Sequence, residues 1–224
     1  MKRSHLNACV DEGAAFIASF GYVLPPFAFW TADEFCARDH ALLVERGMGW
    51  DVTDYGQGRF DDLGLLLFTV RNGTAQDLQH GRGMLYAEKI MISRKNQLSP
   101  MHRHFLKAED IINRGGGTLI LELFAGAADG SIDRDAPVTV PVDGQLKTLP
   151  AGGHLALAPG ESVTLLPGVW HAFWGEGGDV LIGEVSTVND DRTDNDFELD
   201  IPRFTSVDED CAPTRWLVSD YDRL

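Results

Sequence analysis

His102 and His104 stand two residues apart in Met101-His102-Arg103-His104-Phe105, and Lys107 and Glu109 follow at once. If 101–105 is extended, side chains at i and i+2 share a face and both imidazoles point the same way. Two histidines and a carboxylate, converging from a strand and its exit loop, make a ligand set for a first-row divalent metal. A lone His-x-His pair is often a surface or core feature. The placing of Glu109, and a third imidazole at His171, favour ligation. Lys107 lies between His104 and Glu109. It reads either as a solvated lysine or as a proton carrier on the open side of such a metal.

Periodicity supplies the elements that must position these groups. Leu6, Val10, Ala14, Ile17 and Phe20 recur at helical spacing over residues 5–20, with Gly21 at the expected C′ position. Pro25-Pro26 breaks the chain. Thr31-Ala32-Asp33-Glu34 reads as a capping box for a second helix running to about Arg46, with Phe29 and Trp30 placed for a hydrophobic staple. From Trp50 the pattern changes to short strands. They are read at 64–71, 84–93, 118–124, 138–142, 145–149, 154–158, 162–166, 169–174 and 180–187. Asp143-Gly144 marks a tight hairpin. Gly115-Gly116-Gly117 reads as a turn after a short strand at Ile111-Ile112. The pattern predicts a mainly β fold, a barrel or double-sheet sandwich built mostly from 64–187, with a helical N-terminal extension as cover. Residues 1–50 are expected to be that extension and 51–224 the barrel, packed as one structural unit.

Composition bounds the function. The chain has 224 residues, 44% of them apolar, and a formal net charge of −15. That charge argues against nucleic acid and anionic membrane surfaces, and leaves a neutral small molecule open. No apolar run reaches membrane-spanning length, and no apolar region follows Met1-Lys2-Arg3-Ser4-His5. The expectation is a cytoplasmic protein. Cys9, Cys36 and Cys211 are odd in number, which rules out a full disulfide framework, and they read as reduced thiols.

Two resemblances sharpen these expectations. The stretch 160–171, from Gly160-Glu161-Ser162 through Leu166-Pro167-Gly168 to Trp170-His171, resembles the second motif of the cupin superfamily, with a one-residue shift around Pro167. His102-x-His104, four residues, Glu109, six residues and Gly116 match the first. The resemblance implies a cupin-like barrel (a double-stranded β-helix, or jelly roll) binding one metal through His102, His104, Glu109 and His171. Longer runs resemble the D-lyxose isomerase family. They include Pro25-Pro26-Phe27-Ala28-Phe29-Trp30, Gly49-Trp50-Asp51-Val52-Thr53-Asp54, Tyr86-Ala87-Glu88-Lys89-Ile90-Met91, 109–117 and Gly183-Glu184-Val185-Ser186-Thr187. This implies an aldose–ketose isomerase acting on D-lyxose and often D-mannose, a homodimer, with manganese first among Mn2+, Co2+, Zn2+, Fe2+ and Ni2+. One departure stands out. Similar proteins carry a Glu-Pro pair where this chain has Leu199-Asp200, with Glu198 and Asp200 as the nearest acids.

Moving a proton between C1 and C2 of a sugar needs a base, an acid and an electrophile for the developing oxyanion. A divalent metal serves as electrophile. Held by three neutral imidazoles and one carboxylate it leaves a net +1, which suits an enediolate. Lys107 and Glu184 are the expected proton carriers. Glu184 sits inside an apolar strand, and its bland reading is a structural partner for an arginine. Glu88, Trp174 and Asp190 are the expected sugar contacts. Glu88 and Lys89 adjoin on a strand, so only one of them can line the barrel. Trp170, Phe173 and Trp174 could stack on sugar C–H surfaces or simply be core. Asp190, Asp191 and Asp194 lack the glycine and distal glutamate of a calcium loop. An iron-dependent cupin dioxygenase and a sugar-binding cupin without turnover are the competing functions.

Overall fold

The computed structural model describes all 224 residues. Helix α1 spans Arg3–Ser19 and buries Leu6, Cys9, Val10 and Ile17. Gly13 lets it lie close on the sheet, since a Cβ there would stand 2.2 Å from Leu66. The Thr31 cap forms as read: its hydroxyl accepts from Glu34 N, and Glu34 accepts from Thr31 N. Trp30 meets Phe35 edge-on at 6.3 Å, the staple. The expected single helix to Arg46 is instead two, α2 (Ala32–Ala37) and α3 (Ala41–Glu45). Arg38 turns extended at ψ 164°, and Asp39 offers its carboxylate to Ala41 N. A short polar side chain that bonds nearby backbone competes with the helix ladder.

Twelve strands follow: β1 (Gly49–Thr53), β2 (Leu65–Arg71), β3 (Tyr86–Ser93), β4 (Ser99–Arg103), β5 (Glu109–Gly126) and β6 (Ile132–Asp133), then β7 (Val138–Val142), β8 (Gln145–Leu149), β9 (Gly153–Leu157), β10 (Ser162–Leu165), β11 (Trp170–Thr187) and β12 (Asp196–Phe197). A short helix α4 (Ala75–His80) follows β2. The main path is β1-β2-β3-β11-β5-β10-β7-β8, with β4 also on β11, β12 on β4, and β6 and β9 on β5. Every pair of strands is antiparallel. The result is a cupin-like barrel with helices on its outer face.

Strands β5 and β11 are 18 residues each and serve both sides of the barrel. The start of β5 pairs with β10 and its later half with β9, while β11 runs alongside both. The expected turn at Gly115-Gly116-Gly117 is therefore a bend inside one strand. Gly116 has φ +96°, and a Cβ there would fall 2.1 Å from Asp179 O. The register shifts at the same level, between Glu176 and Val180 and between Leu181 and Ile182. Glycines absorb the bend without ending the pairing. The Asp143-Gly144 hairpin forms as read, with φ +46° and +79° joining β7 to β8.

Two apolar layers hold this together. Leu119, Leu121, Leu123, Leu155 and Leu157 fill the barrel interior. Leu6, Val10, Ile17, Trp50, Phe68 and Ile90 form the layer under α1. Each such side chain contributes about 1.5–3 kcal/mol on burial. The C-terminal stretch returns to the N-terminus, where buried Arg3 grips Asp220 and Glu209. No helix is long and apolar enough to cross a membrane.

Candidate active site

The three histidines meet inside the barrel. His102 on β4 lies opposite His171 on β11. His104 falls just beyond β4, because the strand covers 99–103 rather than 101–105. Each ring is fixed by its Nδ1: His102 to Pro100 O at 2.9 Å, His104 to Asp194 O at 2.8 Å, His171 to Val169 O at 3.1 Å. A carbonyl only accepts, so each Nδ1 carries a proton, which turns each Nε2 inward as the atom a metal would meet. Ligand nitrogens of the three rings lie within 4.8 Å of one another. His171 Nε2 is buried without a hydrogen-bond partner. Burial, then the two neighbouring imidazoles, push His102 well below the usual histidine range, so its ring is neutral.

Glu109 opens β5 and closes the triad. Its Oε1 lies 3.2 Å from His171 Nε2 and 3.4 Å from His104 Nε2. Its Oε2 lies 2.6 Å from Lys107 Nζ. Burial works against its charge, but the Lys107 ammonium and His104 outweigh it and hold the carboxyl well below its usual range. Ring nitrogens and a carboxylate oxygen facing one point, with one buried nitrogen unpartnered, form a donor set that fits a divalent cation.

A chain of buried charges leads away from the triad. Lys107 Nζ bridges Glu109 and Glu184, 3.0 Å from Glu184 Oε1. Glu184 on β11 stands opposite Lys89 on β3, with Nζ 3.7 Å from the same Oε1. Lys89 reaches Asn189 Oδ1 at 2.6 Å and Asp191 at 3.5 Å. Asp191 meets Arg203 at 3.4 Å, and Arg203 bonds Asp51 at 2.8 Å. Acids and bases alternate along the whole line. Burial lowers the pKa of Lys107, yet Glu109 and Glu184 reverse that and raise it. For Asp191 burial is likewise outweighed, by Arg203 and the two lysines, and its pKa falls. Asp51 goes the other way, raised by burial that Arg203 only partly offsets.

The loop carrying this site is held by Asp194. Its carboxylate accepts from the backbone N–H groups of Phe105, Leu106 and Lys107 at 2.8–2.9 Å. It also presents its carbonyl to His104. Asp194 thus sets a ring orientation and fixes the Lys107 backbone.

Of the residues read from the sequence, His102, His104, Lys107, Glu109, His171 and Glu184 all line one cavity. Glu88, Trp174 and Asp190 lie outside it. Glu88 faces outward, paired with Arg71 at 2.8 Å and Tyr22 at 2.8 Å. Strand alternation sends Lys89 inward instead. Trp174 alternates with cavity-lining Phe173 and packs edge-on to His154. Asp190 binds the backbone of Arg192 and Thr193 in a turn. Glu198 pairs with Arg134 at the surface, and neither it nor Asp200 reaches the cavity. The sequence reading missed Asp191, Asn195, Phe197 and Arg203. They come from an acidic stretch without periodicity, which offers no pattern to read. Lys89 was recoverable, since it shares strand parity with the apolar Met91.

Three comparisons place the chain among known proteins. A family model described as D-lyxose isomerase matches residues 1–221. A D-lyxose/D-mannose isomerase of Serratia proteamaculans is 46% identical, covering 97% of this chain and 96% of that protein. One from Escherichia coli O157:H7 is 43% identical, covering 99% and 98%. Among solved structures, L-ribose isomerase of Cellulomonas parahominis with L-psicose superposes at a TM-score of 0.61 and 16% identity, covering 93% of this chain and 98% of that one. L-ribose isomerase of Acinetobacter sp. DL28 with L-ribose does so at 0.60 and 15%, covering 92% and 98%. At that identity the likeness is one of fold.

Proposed function

The chain belongs to the D-lyxose isomerase family and is a sugar isomerase, and from that premise we propose that it interconverts D-lyxose and D-xylulose, with D-mannose and D-fructose as a second pair. The supporting observation is the Lys107 ammonium set between two buried carboxylates, Glu109 and Glu184, beside three converging Nε2 atoms. This is the equipment that enediol proton transfer needs, gathered in one cavity.

In this reading His102, His104, Glu109 and His171 hold the metal, and manganese is the ion we propose. A divalent cation there supplies a Lewis acid for the sugar's carbonyl oxygen. The protein's own groups move the protons. Glu184 takes the proton from C2 of the aldose and returns it to C1, giving the ketose through an enediol. Lys107 donates to the carbonyl oxygen at C1 and recovers a proton from the hydroxyl at C2, so it ends as it began. The Glu184 Oε1 atom is engaged by Lys107 and Lys89, which leaves Oε2 for the sugar. Leu65, Leu67, Met91, Ile111 and Phe173 give the same cavity an apolar lining. Such a lining suits the C–H face of a sugar and keeps bulk water from the enediol.

The test is turnover of aldoses and ketoses by the manganese-loaded protein in D2O. Deuterium gained at the exchanged carbon supports the reading. Retention of the original hydrogen fits either a hydride shift or a shielded Glu184 that returns the same proton, and Glu184→Gln separates the two: turnover largely lost supports the proton carrier, and turnover kept removes it from the mechanism. No turnover of any sugar overturns the reading.

A further inference from the structure

The cavity has little room. Solvent could occupy only about 40 Å3 of it. One water needs about 10–15 Å3 by this measure, and a pentose has roughly ten non-hydrogen atoms. A sugar seated in it therefore presses on the walls, and the wall held least firmly yields first. Most walls stand on strands paired on both sides: Lys89 on β3, Glu109 and Ile111 on β5, and His171, Phe173 and Glu184 on β11. Phe197 is different. It sits on β12, two residues long and paired only with β4.

Phe197 also divides two spaces. Its ring lines the catalytic cavity, 5.5 Å from the rings of both His102 and Tyr55. The same residue lines an outer pocket of about 480 Å3 that includes Arg103, Arg134, Asp196 and Glu198. The ties holding the strap are few. Arg103 bonds Asp196 at 2.8 Å, Glu198 N donates to Met101 O at 3.0 Å, and Arg134 pairs with Glu198 in solvent. Each is weak beside a strand paired along both edges.

We propose that Phe197 is the specificity-determining residue for the tail of the sugar. Its ring is the movable wall that joins the cavity to the outer pocket, and its bulk sets how easily a hexose is admitted beside a pentose. This rests on the isomerase reading above. D-mannose and D-lyxose share their configuration from C2 to C4 and differ by one terminal carbon. With C1 and C2 held on the side of Lys107 and Glu184, the far end of the sugar runs towards Phe197 and the outer pocket behind it, and the extra carbon is the group that presses on that ring. One added carbon in a tight pocket typically shifts selectivity by about 10–200-fold.

The experiment measures kcat/KM for D-mannose and D-lyxose in Phe197→Ala, Phe197→Leu and Phe197→Trp, with metal content determined in each. The ratio of D-mannose to D-lyxose should rise roughly tenfold in Phe197→Ala, rise less in Phe197→Leu and fall in Phe197→Trp. The change should lie mostly in KM, because Phe197 touches no reacting atom. A ratio unchanged within about twofold across the series, at full metal content, overturns the proposal. Calorimetric binding of the two sugars to the same variants separates this from the isomerase reading. If the wild-type protein binds both sugars but turns over neither, the isomerase reading fails. The same trend in Kd then supports the wall, and a flat series overturns it.

Discussion

Lys107 Nζ and Glu184 Oε1 stand 3.0 Å apart in the buried interior, although 77 positions separate them in the chain. Lys107 leaves the loop after β4, and Glu184 lies within β11, which pairs with both β3 and β5. Their meeting turns two ordinary charged residues into a candidate acid–base pair.

Lys107→Met should lower kcat by roughly two to four powers of ten, the usual worth of a positioned acid or base. Glu184→Gln should do the same. Because Lys107 also touches Glu109, metal content must be measured beside the rate. If activity falls only in step with lost metal, Lys107 is a structural neighbour of the ligand and carries no proton.

His171→Ala should strip the metal and leave the barrel folded. The ring's only hydrogen bond runs to Val169 O two residues away, and the barrel core is packed by leucines elsewhere. Elemental analysis with circular dichroism tests this. Chelation of the wild-type protein should abolish turnover and lower Tm, and manganese should restore both, since a ligand that binds only the folded state stabilises it. Full metal occupancy in His171→Ala would remove that residue from the ligand set.

Gly116→Ala and Gly144→Ala should separate sharply. Both have positive φ, +96° and +79°. An alanine Cβ at 116 would strike Asp179 O at 2.1 Å, whereas nothing lies within 4 Å of one at 144. Backbone strain alone costs about 1–2 kcal/mol, so Gly144→Ala should show roughly that loss in denaturant unfolding. Gly116→Ala should lose clearly more, or fail to fold. Equal losses would mean that the bend in β5 can relax.

Acid should weaken the clamp between the termini. The Arg3 guanidinium, with Arg223 beside it, holds Glu209 down at about 2. A depressed carboxylate stabilises the fold above its ordinary pKa near 4.5 and loses that contribution as pH falls towards 2. The Tm gap between the wild-type protein and Glu209→Gln should therefore be steady at neutral pH and close between about pH 4.5 and 2. Glu209 is 37% exposed, so solvent screening keeps the effect below about 1 kcal/mol. Arg3→Met is a harsher change, leaving buried Asp220 without its main partner at a cost of roughly 3–5 kcal/mol. A pH-independent gap for Glu209→Gln would show that the contact is packing rather than charge.

Much of this site was legible because its signals are local. His102 and His104 at i and i+2, Glu109 five residues on, and Trp170-His171 after a Pro-Gly turn are fixed by spacing within short segments. The Thr31–Glu34 cap and the Asp143-Gly144 hairpin are local for the same reason: each is a bond or a dihedral within four residues. Where the reading of the barrel failed, a long-range partner had decided. Gly115-Gly116-Gly117 looks like a turn until β11 is laid beside it and pairing continues through the bend.

The sequence by itself determined the candidate ligand types, the β character of residues from Trp50 onward and the family. These depend on side-chain identity and on periods of two and 3.6, which every short stretch carries within itself. Only the tertiary structure decided which charges share the cavity. Glu88 and Lys89 are adjacent, yet one meets Arg71 outside and the other Glu184 inside, because strand alternation chooses a face only once the barrel has an interior. Asp191, Phe197 and Arg203 reach the site from a stretch with no pattern of its own. They are held there by Lys89, Tyr55 and Asp51, which lie far from them along the chain. Burial makes such placing decisive, since a charge removed from water is tolerated only beside its partner.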